Sequence, residues 1–312
     1  MIVVLTGGTG GAKFVQGLQH VVRPEELTVI VNTGDDLDCW GLHVSPDIDS
    51  VVYALAGILS SQRGWGIEGD TFACLEWMKQ LGAPGWFQLG DRDLATHLRR
   101  TQLLREGKSL SQATAEVAGN YGVRSRIFPM SDDRVETRVI TSIGDLSFQE
   151  YFVRERFQVE VQEVRYAGAE LAHPAAGACE AIMSAEAVFV APSNPITSIG
   201  PILAIPGIRE ALKETPAAVI AISPIVGGTA VSGPAGALMQ AHGLPVSAEG
   251  ITQCYREFLD VLVIDQQDAA GAPERIGEVE IASANIIMKR MEEKAALAWV
   301  AVELANARTL KA

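Results

Sequence analysis

Apolar positions along the chain switch between two spacings, and the switches mark the elements. Ile2-Val3-Val4-Leu5 is a short β-branched run of the kind buried inside a parallel sheet. After a break at Gly7-Gly8, Phe14, Leu18 and Val21-Val22 recur at helical spacing, and Leu27-Thr28-Val29-Ile30-Val31 is a second buried strand. Residues 51–59, 72–81, 93–105 and 109–121 then read as helices with no strand between them, and Ser109 and Ser111 are candidate caps. In the stretch 125–165 the spacing becomes two: 138–141 and 146–153 alternate about a Gly144-Asp145 hairpin signal. Strand patterns return at 187–190, 217–222 and 261–264, with helical patterns at 208–213 and 286–304. This order predicts an α/β fold: a doubly wound, Rossmann-like core over about 1–50 and 125–312, carrying a helical insertion over about 51–124 and a β hairpin, all in one domain.

Composition narrows the function. Apolar residues make up 48% of 312, ample for a buried core. Asp and Glu outnumber Lys and Arg by 38 to 25, a net charge of −13, which argues against general nucleic-acid or anionic-membrane binding but leaves room for a local phosphate site. There is no apolar run of eighteen residues, and the N-terminal apolar run has no basic leader. The four cysteines are widely spaced, without a zinc-like pairing. The expectation is a cytoplasmic globular protein.

Four constellations could carry chemistry. Gly7, Gly8, Gly10 and Gly11, with Thr9 between them and Lys13 after them, follow the first strand, where backbone amides at a helix N-terminus can hold phosphate. Their spacing fits neither the dinucleotide nor the P-loop fingerprint. Asp35, Asp36 and Asp38, then Asp47 and Asp49, are positioned to hold magnesium beside phosphate; Asp47 or Asp49 could equally cap a helix from residue 50. Asp91, Arg92, Asp93, His97, Arg99 and Arg100 combine helix-start acids with what reads as a solvated basic face, and His97 in such a helix is more often structural than catalytic. Finally, Ser193-Asn194 and Ser223 each sit just beyond a strand, making rigid polar loops on one sheet edge.

Taken together, the glycine loop, Asn32-Thr33-Gly34-Asp35-Asp36, Ser45-Pro46-Asp47-Ile48-Asp49, Arg63-Gly64-Trp65-Gly66, Leu89-Gly90-Asp91-Arg92-Asp93-Leu94-Ala95-Thr96-His97, Pro129-Met130-Ser131-Asp132-Asp133, Pro192-Ser193-Asn194-Pro195 and Ser223-Pro224-Ile225 resemble the 2-phospho-L-lactate transferase family of coenzyme F-420 biosynthesis. The resemblance implies a magnesium-dependent, cytoplasmic homodimer. It implies transfer of a phospholactyl-type group (from phospholactate, phosphoenolpyruvate or phosphoglycerate) to the ribityl hydroxyl of the deazaflavin Fo, from a GMP-diphosphate-activated donor that releases GMP. It maps the deazaflavin contact onto Asp49, and a Lys of some members onto Gln88; Asp91 and His97 join them on the acceptor side. Gly8, Thr9, Gly10, Gly11, Lys13, Ser193, Asn194 and Ser223 fall to the donor, Asp35 and Asp49 to the metal, and Asp49, Asp35 and Arg92 to catalysis. The alternatives are a nucleotide-sugar-binding regulator of the related gluconeogenesis-factor group, and a NAD-dependent oxidoreductase, disfavoured by the broken fingerprint.

Overall fold

In the computed structural model, which describes residues 1–309, buried apolar runs assemble one large sheet. The chain opens as β1 (Ile2–Thr6), α1 (Thr9–Leu18) and β2 (Leu27–Val31), both strands buried at every position. A small hairpin, β3 (Leu37–Cys39) and β4 (Leu42–Val44), leads into α2 (Pro46–Leu55). Helices α3 (Ala73–Gln80), α4 (Asp93–Arg105) and α5 (Leu110–Asn120) follow, α5 opening on a Ser109–Gln112 capping box. Then come β5 (Arg126–Pro129), β6 (Glu136–Thr141), β7 (Gly144–Ser147), β8 (Val161–Ala167), β9 (Ala187–Val190) and β10 (Ala218–Ile222). The two-residue strands β11 (Ile225–Val226) and β12 (Thr229–Ala230) pair as a hairpin. Last are β13 (Val261–Asp265), β14 (Arg275–Ile276), β15 (Val279–Ala284) and a closing helix, Met291–Thr309.

The main sheet runs β14-β15-β13-β10-β9-β1-β2-β5, parallel throughout except at the β14 edge. Apolar clusters cover both faces: Phe14, Ile48, Val51 and Leu297 on one, Val188, Ile202, Ile208 and Leu238 on the other. The expected doubly wound core is therefore present. β6, flanked by β7 and β8, forms a separate three-stranded sheet.

Three expectations need correction. The run 146–153 is not one strand: β7 ends at Ser147 and Glu150–Arg154 coils into a π-helix, packing Phe148 flat on Phe152. The helix expected from residue 50 begins at Pro46, so Asp47 and Asp49 lie in its first turn rather than at its cap. The closing helix starts at Met291, five residues later than the apolar pattern implied.

Candidate active site

The order of strand addition reverses between β1 and β9: β1 passes to β2 on one side, while β9 leads to β10 on the other. The loops leaving these strands splay apart at such a point, and ligands of doubly wound sheets bind there. The glycine loop and Ser193 meet at this place. The Gly7 amide donates to Ser193 Oγ at 3.1 Å, with the Thr6 hydroxyl 3.4 Å from the same oxygen. The α1 N-terminus carries no side-chain cap, so its first-turn amides have no side-chain acceptor.

The glycines are also needed for packing. A Cβ on Gly8 would lie 2.4 Å from Asp47 Oδ1, on Gly10 2.7 Å from the Pro192 carbonyl, and on Gly11 1.6 Å from Thr6 Oγ1. Asn194 commits its Oδ1 to capping the next turn, accepting from the Ile196 and Thr197 amides. Ser223 lines a different cavity, with Ser247, Glu249 and Asp268. Lys13 lies close enough to Lys294 to depress that ammonium, secondary to its burial.

Beside the loop opens a cavity of about 290 Å³. Thr9, Asp47, Asp49, Gln88, Asp93 and His97 supply its polar lining; Trp65, Phe87, Phe148 and Phe152 supply an aromatic wall. In the sequence, Asp47 and Asp93 belong only to their acidic constellations, and the specific acceptor and metal roles fall to Asp91 and Asp49. Asp91 does not line the cavity. Its carboxylate accepts from the Ala73 and Cys74 amides at 3.0 and 2.9 Å, capping α3, while Asp70 caps α4 through the Arg92 and Asp93 amides. Those hydrogen bonds, the Thr71 hydroxyl first, hold Asp91 below the usual carboxylate range. Arg92 is exposed and its guanidinium reaches the Glu68 carbonyl, outside the cavity wall.

The acids divide into two groups. Burial drives the Asp47 carboxyl up to about 7 despite a 2.9 Å hydrogen bond from Asn32, and drives Asp35 well above the usual range, with the charge of Asp47 adding to the push. Asp35 Oδ1 is buried without a hydrogen bond of normal geometry. Asp49 belongs to a second group: Arg100, expected on a solvated face, is fully buried and grips both Asp49 oxygens with its two terminal nitrogens. Asp35 is thus coupled electrostatically to Asp47, whereas Asp49 is held by Arg100. Among the described residues, no three His, Cys, Asp or Glu side chains converge as a metal-ligand set.

The chain is similar to known proteins over nearly its whole length. The chain is 45% identical to a 2-phospho-L-lactate transferase of Methanosarcina acetivorans, over 97% of this chain and 98% of that one. It is 43% identical to the protein of that name from Methanococcoides burtonii, over 93% and 95% of the two chains, and 44% identical to a phosphoenolpyruvate transferase of Streptomyces griseus, over 98% of each. A crystal structure of a UPF0052 family member from Bacillus halodurans shares the fold, with a TM-score of 0.64 at 17% identity over 96% of this chain and 98% of that one. No described helix is long and apolar enough to cross a membrane. With a glycine loop and an aromatic-walled acidic cavity on one sheet edge, and the family model of 2-phospho-L-lactate transferase CofD matching residues 2–295, the chain belongs to that transferase family and is an enzyme of its type.

Proposed function

We propose that this enzyme acts in coenzyme F-420 biosynthesis, moving a phospholactyl-type group from its GMP-diphosphate-activated form to the ribityl hydroxyl of Fo. One observation carries the reading: the aromatic-walled cavity opens directly onto the glycine loop, since Thr9 and Asp47 line both. A flat deazaflavin suits the wall of Trp65, Phe87, Phe148 and Phe152, and a diphosphate suits the uncapped α1 amides. The hydroxyl oxygen bonds to the phosphorus bearing the three-carbon acid, the anhydride bond breaks so that GMP leaves with the bridging oxygen, and the hydroxyl proton passes to the departing GMP phosphate. Asp49 accepts the hydrogen bond that aims the hydroxyl, and the cavity wall keeps water from competing.

Magnesium belongs to this proposal. The orphaned Asp35 Oδ1 and the mutually repelling Asp35 and Asp47 are hard oxygen donors that a divalent cation would satisfy. Magnesium there would offset diphosphate charge. The exposed Trp77 on α3 and Leu81 just past its end favour a homodimer that covers them.

The test is GMP release and product mass with Fo and each of three donors, guanylylated phospholactate, phosphoenolpyruvate or phosphoglycerate. We expect one donor to give GMP and a phosphodiester only with Fo and magnesium. Donor binding without turnover would favour the regulatory reading, and full turnover in excess EDTA would remove magnesium.

A further inference from the structure

The acceptor cavity rests on a buried polar network that the reaction as written does not use. Arg100, fully buried on α4, meets Asp49, 51 residues away on α2, through Nη1 at 3.1 Å from Oδ2 and Nη2 on Oδ1. His97, one turn earlier and 1% exposed, lies between two carboxylates: Nδ1 is 3.6 Å from Asp49 Oδ2 and Nε2 is 3.3 Å from Asp93 Oδ1. The Tyr53 hydroxyl is 2.7 Å from both Asp93 Oδ1 and the Thr96 hydroxyl, which is 2.8 Å from Tyr121. Asp49, Tyr53, Asp93 and His97 show one side to the cavity; Arg100 is absent from its lining and lies behind them.

A buried arginine is costly to desolvate; that burial is the largest single effect here, and the charge of Asp49, its hydrogen bonds and the charge of Asp36 together outweigh it, so the guanidinium stays cationic. A planar fork on both oxygens also fixes the carboxylate plane, which a lone hydrogen bond leaves free to rotate. We propose that Arg100 is a positioning residue for the acceptor: it locks the Asp49 carboxylate so that its remaining lone pairs point into the cavity at one angle. This rests on the reading of the cavity as the Fo site. Arg100 touches neither substrate; it acts chiefly through Asp49, with its Nη1 also 3.5 Å from His97 Nδ1. The donor loop, which contacts Asp47 and Ser193 instead, is independent of it.

The experiment uses Arg100→Lys, which keeps the charge but loses the fork, alongside the double variant Asp49→Asn/Arg100→Met, which leaves no unpaired buried charge. Fo binding is followed by deazaflavin fluorescence, GDP binding by calorimetry, and turnover by GMP release. For a folded Arg100→Lys protein we expect kcat to fall on the order of a hundredfold, as for a misplacement of about 1 Å, and Fo binding to weaken, with GDP affinity within about twofold of wild type. The double variant should fold with wild-type GDP affinity and be no less impaired toward Fo than Asp49→Asn alone. Equal losses for Fo and GDP, or wild-type kinetics in folded Arg100→Lys, would overturn the assignment. Should the wild type itself bind no Fo, the acceptor reading fails first and takes this role with it; where the wild type binds Fo, the variants report on Arg100 alone.

Discussion

Asp47 shows how one buried carboxyl couples stability to substrate. Its pKa of about 7 lies far above that of an unfolded aspartate because burial opposes its charge, so between about pH 4 and pH 7 the folded protein holds a proton that the unfolded chain has lost. Stability therefore declines as pH rises through that window and stays reduced above it. Melting curves from pH 5 to pH 8 without divalent cation should show this decline, and Asp47→Asn should flatten it. Added magnesium should restore more stability at pH 8 than at pH 5, because the site must be ionised to hold the ion. A melting temperature insensitive to pH in both proteins would place no titrating carboxyl here. Asp47 is hard to single out in the sequence because its distinguishing feature is burial against Gly8, which adjacent residues do not report. Arg100 is hidden for a related reason: with Arg99 beside it, it reads as a basic surface, and its partner is 51 residues away.

Elements were more legible than contacts. β2 and α4 have the bounds their patterns imply, since a continuous apolar run and a helical repeat are local signals. The 146–153 stretch misled because alternating residues also suit a π-helix that stacks aromatics against a cavity. The loop before α4 misled differently: Asp91 and Asp93 are two residues apart and alike in type, yet one caps α3 and the other faces the cavity. Asp91→Ala should accordingly lower stability by about 1 kcal/mol, the usual value of a cap, and leave the Fo KM unchanged. A raised Fo KM with unchanged melting would return Asp91 to the acceptor site. At α1, Gly11→Ala should be far more damaging than its size suggests. Its methyl would overlap the buried Thr6 hydroxyl, so we expect loss of several kcal/mol, checked by denaturant unfolding; a cost under about 1 kcal/mol would show that the loop yields.

At the scale of the whole molecule, the substrates of the proposed reaction meet where two halves of one sheet part company. The donor loops hang from β1 and β9 and the acceptor wall from α2, α4 and the loops about them, so occupancy of either site ties together distant parts of the chain. GDP with magnesium should raise the free energy of unfolding by about 2.7 kcal/mol at a hundredfold excess over its Kd, and Fo should add to it. A GDP complex that melts like the free protein would detach the nucleotide from the reversal point.

The hydrogen bond from Gly7 to Ser193 spans 186 residues. During synthesis at about 5–20 residues per second, the glycine loop emerges roughly ten to forty seconds before the serine that completes it. Throughout that interval β1 has β2 on one side and no β9 on the other, an open edge of Ile, Val and Leu on a nascent chain. The corner where Gly7 meets Ser193 thus cannot close until residue 193 of 312 has been made, and any ribosome-bound chaperone that shields this protein has the edge of β1 to guard.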